Sequence, residues 1–173
     1  HTPYGATECL PVASISSEEL GEELISATDE GRGTCVGQPV PPNEVAVIPV
    51  SDEPLERFDP AATLGPGEIG EIVVHGPTTT EAYWRRERQT RLAKMRDDDG
   101  RTWHRMGDVG YRDEEGRLWY CGRKSQRVRL GDRDLYPDQL EAVFNRHPDV
   151  FRTALVGVGD GPPQRPVLCV ELV

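Results

Sequence analysis

The chain has 173 residues, 36% of them hydrophobic and 29% charged, with a formal net charge of −10. That is enough chain for one or two domains with a buried core, and its Leu, Ile and Val are spread along the whole length, which excludes wholesale disorder. The acidic balance repels nucleic acid and anionic lipid at long range, and no apolar run approaches the roughly 20 residues that a membrane-spanning helix needs.

The first stretch, Ala6 to Ile15, is small and apolar and follows a Tyr-Gly turn. Residues 17–30 are acidic with Leu20, Leu24 and Ile25 at helical spacing, which predicts a short exposed helix or structured loop. Glycines and prolines then punctuate the chain up to Pro42. Glu44–Val50 alternates as a strand does, and residues 51–67 read as loop. Glu68–Gly76 is a second strand, closed by Gly76-Pro77. The charged stretch Glu81–Arg96, with Tyr83, Trp84, Leu92 and Met95, predicts a helix that ends at the Asp97–Gly100 turn. Trp103–Tyr111 and Arg117–Cys121 predict a hairpin around Asp113-Glu114-Glu115-Gly116. From Arg123 a basic cluster begins (Arg123, Lys124, Arg127, Arg129, Arg133), and Pro137 opens an amphipathic helix to Asn145. Two β-branched runs close the chain, so its end predicts a small α+β unit.

Cys9, Cys35, Cys121 and Cys169 are widely spaced without a CxxC pair, so they read as free thiols rather than metal ligands. No signal peptide is visible at His1-Thr2-Pro3-Tyr4, and the missing initiator Met suggests a processed chain or a piece of something larger.

Four segments carry candidate chemistry. Tyr4-Gly5-Ala6-Thr7-Glu8 places a flat ring, a tight turn, a hydroxyl and a carboxylate within five residues, a set suited to a base, a phosphate oxygen and Mg²⁺. Gly67–Pro77 lacks a following Gly-Lys-Ser/Thr, so it is a core hairpin and not a phosphate loop. Asp108, after Gly107 at a strand end, either caps a turn or grips ribose hydroxyls. Cys121–Arg133 carries the basic cluster, which either reads phosphate and ribose or forms a solvated interdomain face.

In order and spacing these segments resemble the AMP-forming adenylating enzymes: acyl-CoA synthetases, luciferases and peptide-synthetase adenylation domains. Tyr4–Glu8 is similar to their adenine and Mg²⁺ motif, Arg105-Met106-Gly107-Asp108 to their ribose motif, and Gly122–Val128 to their hinge. Val36-Gly37-Gln38-Pro39 is similar to a turn of the same family. The resemblance runs the length of the chain.

The resemblance implies a mixed α+β fold. Residues 1–124 would be the C-terminal part of the large adenylation domain, a distorted β-barrel-like subdomain with hairpins. Residues 125–173 would be the first half of the small mobile C-terminal domain. It implies that Tyr4 stacks on adenine with Gly5 beside it, that Thr7 bonds the α-phosphate and that Glu8 holds Mg²⁺. Asp108 would take both ribose hydroxyls with Arg123 behind it, and His1 and Thr2 would lie near the acyl and adenylate groups. Ser125 stands where the family has an Asp or Lys hinge, Gly131 fits a loop that swings for the second half-reaction, and Gln139 replaces a usual Glu. The phosphate loop would lie upstream and the catalytic Lys downstream, since Lys94, in the expected helix, and Lys124 lack its context. The isolated chain is therefore expected to be inactive.

Within the family the surroundings of the motifs are most similar to the β-lactone-forming branch of bacterial olefin biosynthesis. That branch adenylates a long 2-alkyl-3-hydroxy acid, whose own hydroxyl closes a β-lactone and releases AMP. Two other readings stand beside it: a long-chain acyl-CoA ligase, which would consume CoA, and a non-catalytic interaction module on the same scaffold. The resemblance implies ATP, Mg²⁺ and a long-chain carboxylic acid as ligands, other olefin-pathway enzymes as partners, no nucleic acid, and a cytoplasmic location.

Overall fold

A computed structural model describes residues 1–173. The chain opens with a hairpin of β1 (Thr2–Ala6) and β2 (Cys9–Ile15). Ala6 pairs with Cys9, so Thr7 and Glu8 are the two residues of its turn. A short helix α1 (Glu22–Ala27) runs into a wide turn, Thr28–Arg32, that kinks at Gly31. Then follow β3 (Thr34–Pro39), β4 (Glu44–Ile48), β5 (Gly70–His75), α2 (Glu87–Ala93), β6 (Lys94–Arg96), β7 (Thr102–Arg112) and β8 (Leu118–Arg123).

These strands form one antiparallel sheet in the order β1-β2-β3-β8-β7-β5-β4, with β6 added to β7. Both faces of β5 are covered. Ile72 and Val74 join Cys9, Val12, Val45, Met106 and Leu118 in one core cluster. Val73 joins Ile48, Phe58, Met95 and Trp103 in another, where Phe58 and Trp103 stack at 3.8 Å. Burial on both faces is why this strand reads as a continuous apolar run instead of an alternation. A third cluster, with Ile15, Leu24, Cys35 and Trp119, lies under α1.

The partner of β7 changes along its length, and this opens the site. On the edge away from β5, Thr102–His104 pair with β6 and Asp108–Arg112 pair with β8. Arg105, Met106 and Gly107 between them have no strand neighbour on that edge. Gly107 turns there with φ 68°, a conformation that costs glycine little.

After β8 the chain passes through a single tight turn, Lys124–Gln126, into a small ladder of β9 (Val128–Arg129) and β10 (Asp134–Leu135). The helix α3 (Pro137–Asn145) starts with proline at its first position, and β11 (Val150–Val158) and β12 (Arg165–Leu172) form a closing hairpin. α3 packs on the kink at Gly31, where an added Cβ would lie 2.8 Å from the Gln139 carbonyl oxygen. No helix is long and apolar enough to cross a membrane.

Most predicted elements are present, with three corrections. Tyr4-Gly5, expected as a turn, lies inside β1, because the pairing of Ala6 with Cys9 puts the turn at Thr7-Glu8. Gly67–Pro77, expected as a hairpin, carries the single strand β5 between β4 and β7. The helix expected over Glu81–Arg96 is only Glu87–Ala93, and Lys94–Arg96 is a strand. The free edge of β7 recruits Lys94–Arg96 as β6, and Met95 reaches the core in that conformation at 1% exposure. Tertiary pairing outweighs local helical preference here. Cys9, Cys35 and Cys121 are buried free thiols, whereas Cys169 is exposed.

Candidate active site

The gap beside β7 opens into a polar cleft of about 640 Å³, lined among others by Thr7, Glu8, Tyr83, His104, Gly107 and Arg123. Two segments on opposite sides of the chain's order meet there: the β1–β2 turn and the middle of β7.

Next to Gly107, on the rim of this cleft, stands Asp108, which is 3% exposed. The Tyr4 hydroxyl donates to its Oδ2 at 2.6 Å. Arg123 Nη1 pairs with Oδ1 at 2.8 Å, without the alignment of a good hydrogen bond. Burial pushes the Asp108 carboxyl above its ordinary range, against the pull of Tyr4 and Arg123. The same burial, reinforced by the charge of Asp108, raises the Tyr4 phenol far above its usual value. The Tyr4 ring lies 6.1 Å from that of Tyr120 at 46°. A carboxylate has about four lone-pair sites, so Asp108 keeps acceptor capacity beyond Tyr4 and Arg123 that a vicinal diol could fill.

Glu8 lines the cleft itself. The Tyr83 hydroxyl donates to Glu8 Oε1 at 2.7 Å, and the Thr80 amide donates to the Glu8 carbonyl at 2.9 Å. The bond from Tyr83 is the main cause that holds the Glu8 carboxyl below its ordinary range. Behind it, Lys94 is 8% exposed and donates to Thr80 Oγ1 at 3.0 Å, with Nζ 5.7 Å from the Tyr83 ring centre. No group of three or more His, Cys, Asp or Glu side chains gathers anywhere in the chain. One carboxylate suits Mg²⁺, which keeps waters and phosphate oxygens as its other ligands.

The predicted site residues therefore fall into two groups: Tyr4, Asp108 and Arg123, joined by a hydrogen bond and an ion pair, and Gly5, Thr7 and Glu8, which line the cleft with Arg123. His1 is exposed, and Thr2 lines a separate, largely apolar pocket of about 310 Å³ between β1 and α1. Ser125 is exposed, between two anchored basic residues. Lys124 Nζ donates to Glu71 Oε1 at 2.7 Å and to the Ser51 carbonyl at 3.0 Å, while Arg127 pairs with Asp52 and Asp134. Much of the basic cluster is thus paired with carboxylates of the chain. Glu71 is completely buried and also accepts from Arg105 Nη2 at 2.6 Å.

Sequence reasoning left Tyr83, Lys94 and His104 without a role. Tyr83 and His104 stand inside segments that drew notice, but nothing local says that they face Glu8. Lys94 was expected in a helix and stands on a strand.

Residues 1–84 match the sequence profile of the AMP-binding enzyme family. Curated relatives and solved structures match over nearly the whole chain. The olefin beta-lactone synthetase of Xanthomonas campestris pv. campestris is 55% identical over 175 residues, covering 99% of this chain and 31% of that protein. Among solved structures, an amide bond synthetase from Marinactinospora thermotolerans superposes with a TM-score of 0.75 at 29% identity, over 98% of this chain and 31% of that one. The o-succinylbenzoate coenzyme A synthetase of Bacillus subtilis, in complex with ATP and magnesium ion, gives 0.72 at 27% identity over 98% and 31%. The fold is that of a mixed α+β, mostly antiparallel segment of an adenylating enzyme. The chain spans about a third of the length of the curated relatives it matches.

Proposed function

We propose that the chain is a segment of an ATP-dependent enzyme that adenylates a carboxylic acid, releasing pyrophosphate. The observation that carries this reading is the buried Asp108, bonded by Tyr4 and ion-paired to Arg123, next to Gly107 of a cleft that Glu8 and Thr7 also line. Asp108 takes the ribose hydroxyls through its remaining lone pairs, and Arg123 offsets its charge. Tyr4 keeps its ring for the adenine while its hydroxyl orients Asp108, and Gly5 lets the backbone approach. Thr7 bonds the α-phosphate and Glu8 holds Mg²⁺, the ion that screens the charge building up on the phosphates. The phosphate loop and the catalytic Lys lie outside these residues. Residues 1–124 close the large domain, residues 125–173 open the small one, and Ser125 is the hinge.

The substrate we propose is a long 2-alkyl-3-hydroxy acid, closed to a β-lactone with release of AMP in the cytoplasm, alongside other enzymes of olefin synthesis. The 55% identity to an olefin beta-lactone synthetase supports this. An internal hydroxyl has a high effective concentration at the adenylate. A second reading, a long-chain acyl-CoA ligase that takes CoA, is favoured by the 31% identity to the Escherichia coli O157:H7 long-chain-fatty-acid–CoA ligase. A non-catalytic module has no use for a buried Asp108, Arg123 and Glu8 gathered at one cleft.

The test uses the full-length protein with Mg-ATP and such an acid, with and without CoA, and identifies products by mass spectrometry. A β-lactone and AMP formed without CoA are expected. An acyl-CoA formed only with CoA moves the assignment to the ligase, and the absence of any AMP sinks adenylation itself.

A further inference from the structure

The cleft holds one polar group that adenylation leaves unused. His104 is 2% exposed and lines the cleft with Glu8 and Gly107. Its Nδ1 lies 3.1 Å from the Ala93 carbonyl oxygen. A carbonyl only accepts, so the ring proton sits on Nδ1 and Nε2 carries the lone pair. Burial, with the ammonium of its cross-strand partner Lys94, keeps the imidazole neutral and brings its pKa down to about 4.

Its position in the strand matters as much as its protonation. Asp108 is four residues further along β7, roughly 13 Å away at about 3.3 Å per residue. Glu8 and His104 line the cleft together and interact electrostatically, while Tyr4 meets Asp108 beside Gly107. In the nucleotide pose proposed above, His104 is on the side of Glu8, where the phosphate and the acyl group attached to it would lie. The other ionisable groups of this cleft are engaged. Glu8 accepts from Tyr83, Glu71 is bonded by Lys124 and Arg105, and Arg123 faces Asp108.

We propose that His104 Nε2 accepts the proton of the substrate's own hydroxyl as that hydroxyl attacks the acyl-adenylate. This rests on the β-lactone reading above. The hydroxyl oxygen forms a bond to the carboxyl carbon. The bond from that carbon to the AMP oxygen breaks, and its electron pair leaves on the AMP phosphate. The hydroxyl proton passes to Nε2 and then to water, which restores the neutral ring. Adenylation precedes this step and does not use it.

The experiment compares the full-length enzyme with its His104→Phe and His104→Gln variants, given Mg-ATP and a long 2-alkyl-3-hydroxy acid. Acyl-adenylate is trapped with hydroxylamine, and lactone is measured by mass spectrometry. The lactone released per adenylate formed is expected to fall about tenfold, below the roughly 100-fold or more of a base tuned near pH 7 because the lowered pKa makes His104 a weaker proton acceptor, with trapped adenylate rising. If one variant fails to fold, the other carries the comparison. An unchanged ratio in the folded variants overturns the role, as does an equal fall of adenylate and lactone, which would mark His104 as a support for Glu8. A wild-type enzyme that forms adenylate but no lactone overturns the underlying reading before any variant is compared.

Discussion

Tyr4 and Asp108 stand 104 positions apart in the chain, and the phenol hydroxyl of one donates to the buried carboxylate of the other at 2.6 Å. The bond ties the first hairpin to the middle of β7, and Arg123 pairs with the second carboxylate oxygen at 2.8 Å. Tyr4→Phe removes the well-aligned donor. A loss of about 1–3 kcal/mol in stability is expected, the cost of leaving a buried acceptor unsatisfied, read from urea unfolding. An unchanged midpoint would mean that Arg123 or water satisfies Asp108 by itself.

Glu8 is the carboxylate proposed to hold Mg²⁺. In the full-length protein, chelation of Mg²⁺ should abolish adenylation. Glu8→Gln should raise the Mg²⁺ concentration for half-maximal adenylation about tenfold or more. Tyr83→Phe, which removes the hydroxyl bonded to Glu8, should shift it in the same direction by less. A titration that leaves both midpoints in place would remove Glu8 from the metal site.

Glu71 joins three parts of the chain, because Arg105 and Lys124 both bond its carboxylate. Glu71→Gln strands the buried Arg105 and a partly covered Lys124 and should cost about 3–5 kcal/mol. Lys124→Met should cost less, since Arg105 still pairs with Glu71. Denaturant unfolding of the two variants checks the order, and a larger loss for Lys124→Met would contradict it.

His104 also makes a statement about pH. Its pKa is about 4 in the folded chain against an ordinary 6.5. The unfolded chain thus binds a proton that the folded one refuses. The stability due to this group is present above pH 6.5 and is lost as pH falls from there through 4, by about 3 kcal/mol at most. Unfolding at pH 7 and at pH 4.5 should show a smaller acid loss in His104→Gln than in the wild type. Equal losses would mean that His104 titrates normally.

Gly37 has φ 87°, and a Cβ there would lie 2.1 Å from the Ser14 carbonyl oxygen. Gly37→Ala should cost at least about 1–3 kcal/mol from backbone conformation alone, with the clash added. A melting temperature within a degree of the wild type would show that β2 and β3 can separate there.

Local pattern was enough for the parts of the chain whose structure is decided by near neighbours. The β7–β8 hairpin followed from two apolar runs around Asp113–Gly116, and α3 followed from Pro137 ahead of an amphipathic stretch. The order of the motifs from Tyr4 to Arg123 was legible too, because short segments keep their residue types together. What a strand will lie beside is not written within the strand. Lys94–Arg96 became β6 because β7 had a free edge and the core had room for Met95. The pairing of Lys124 with Glu71, 53 positions away, depends on which strands are neighbours. His104 acquired its setting the same way, with Ala93 on one nitrogen and the cleft before the other. Sequence alone determined most of the elements and part of the list of candidate groups. Only the tertiary structure decided which of them share a dielectric environment and a distance, and those two quantities set what each group can do.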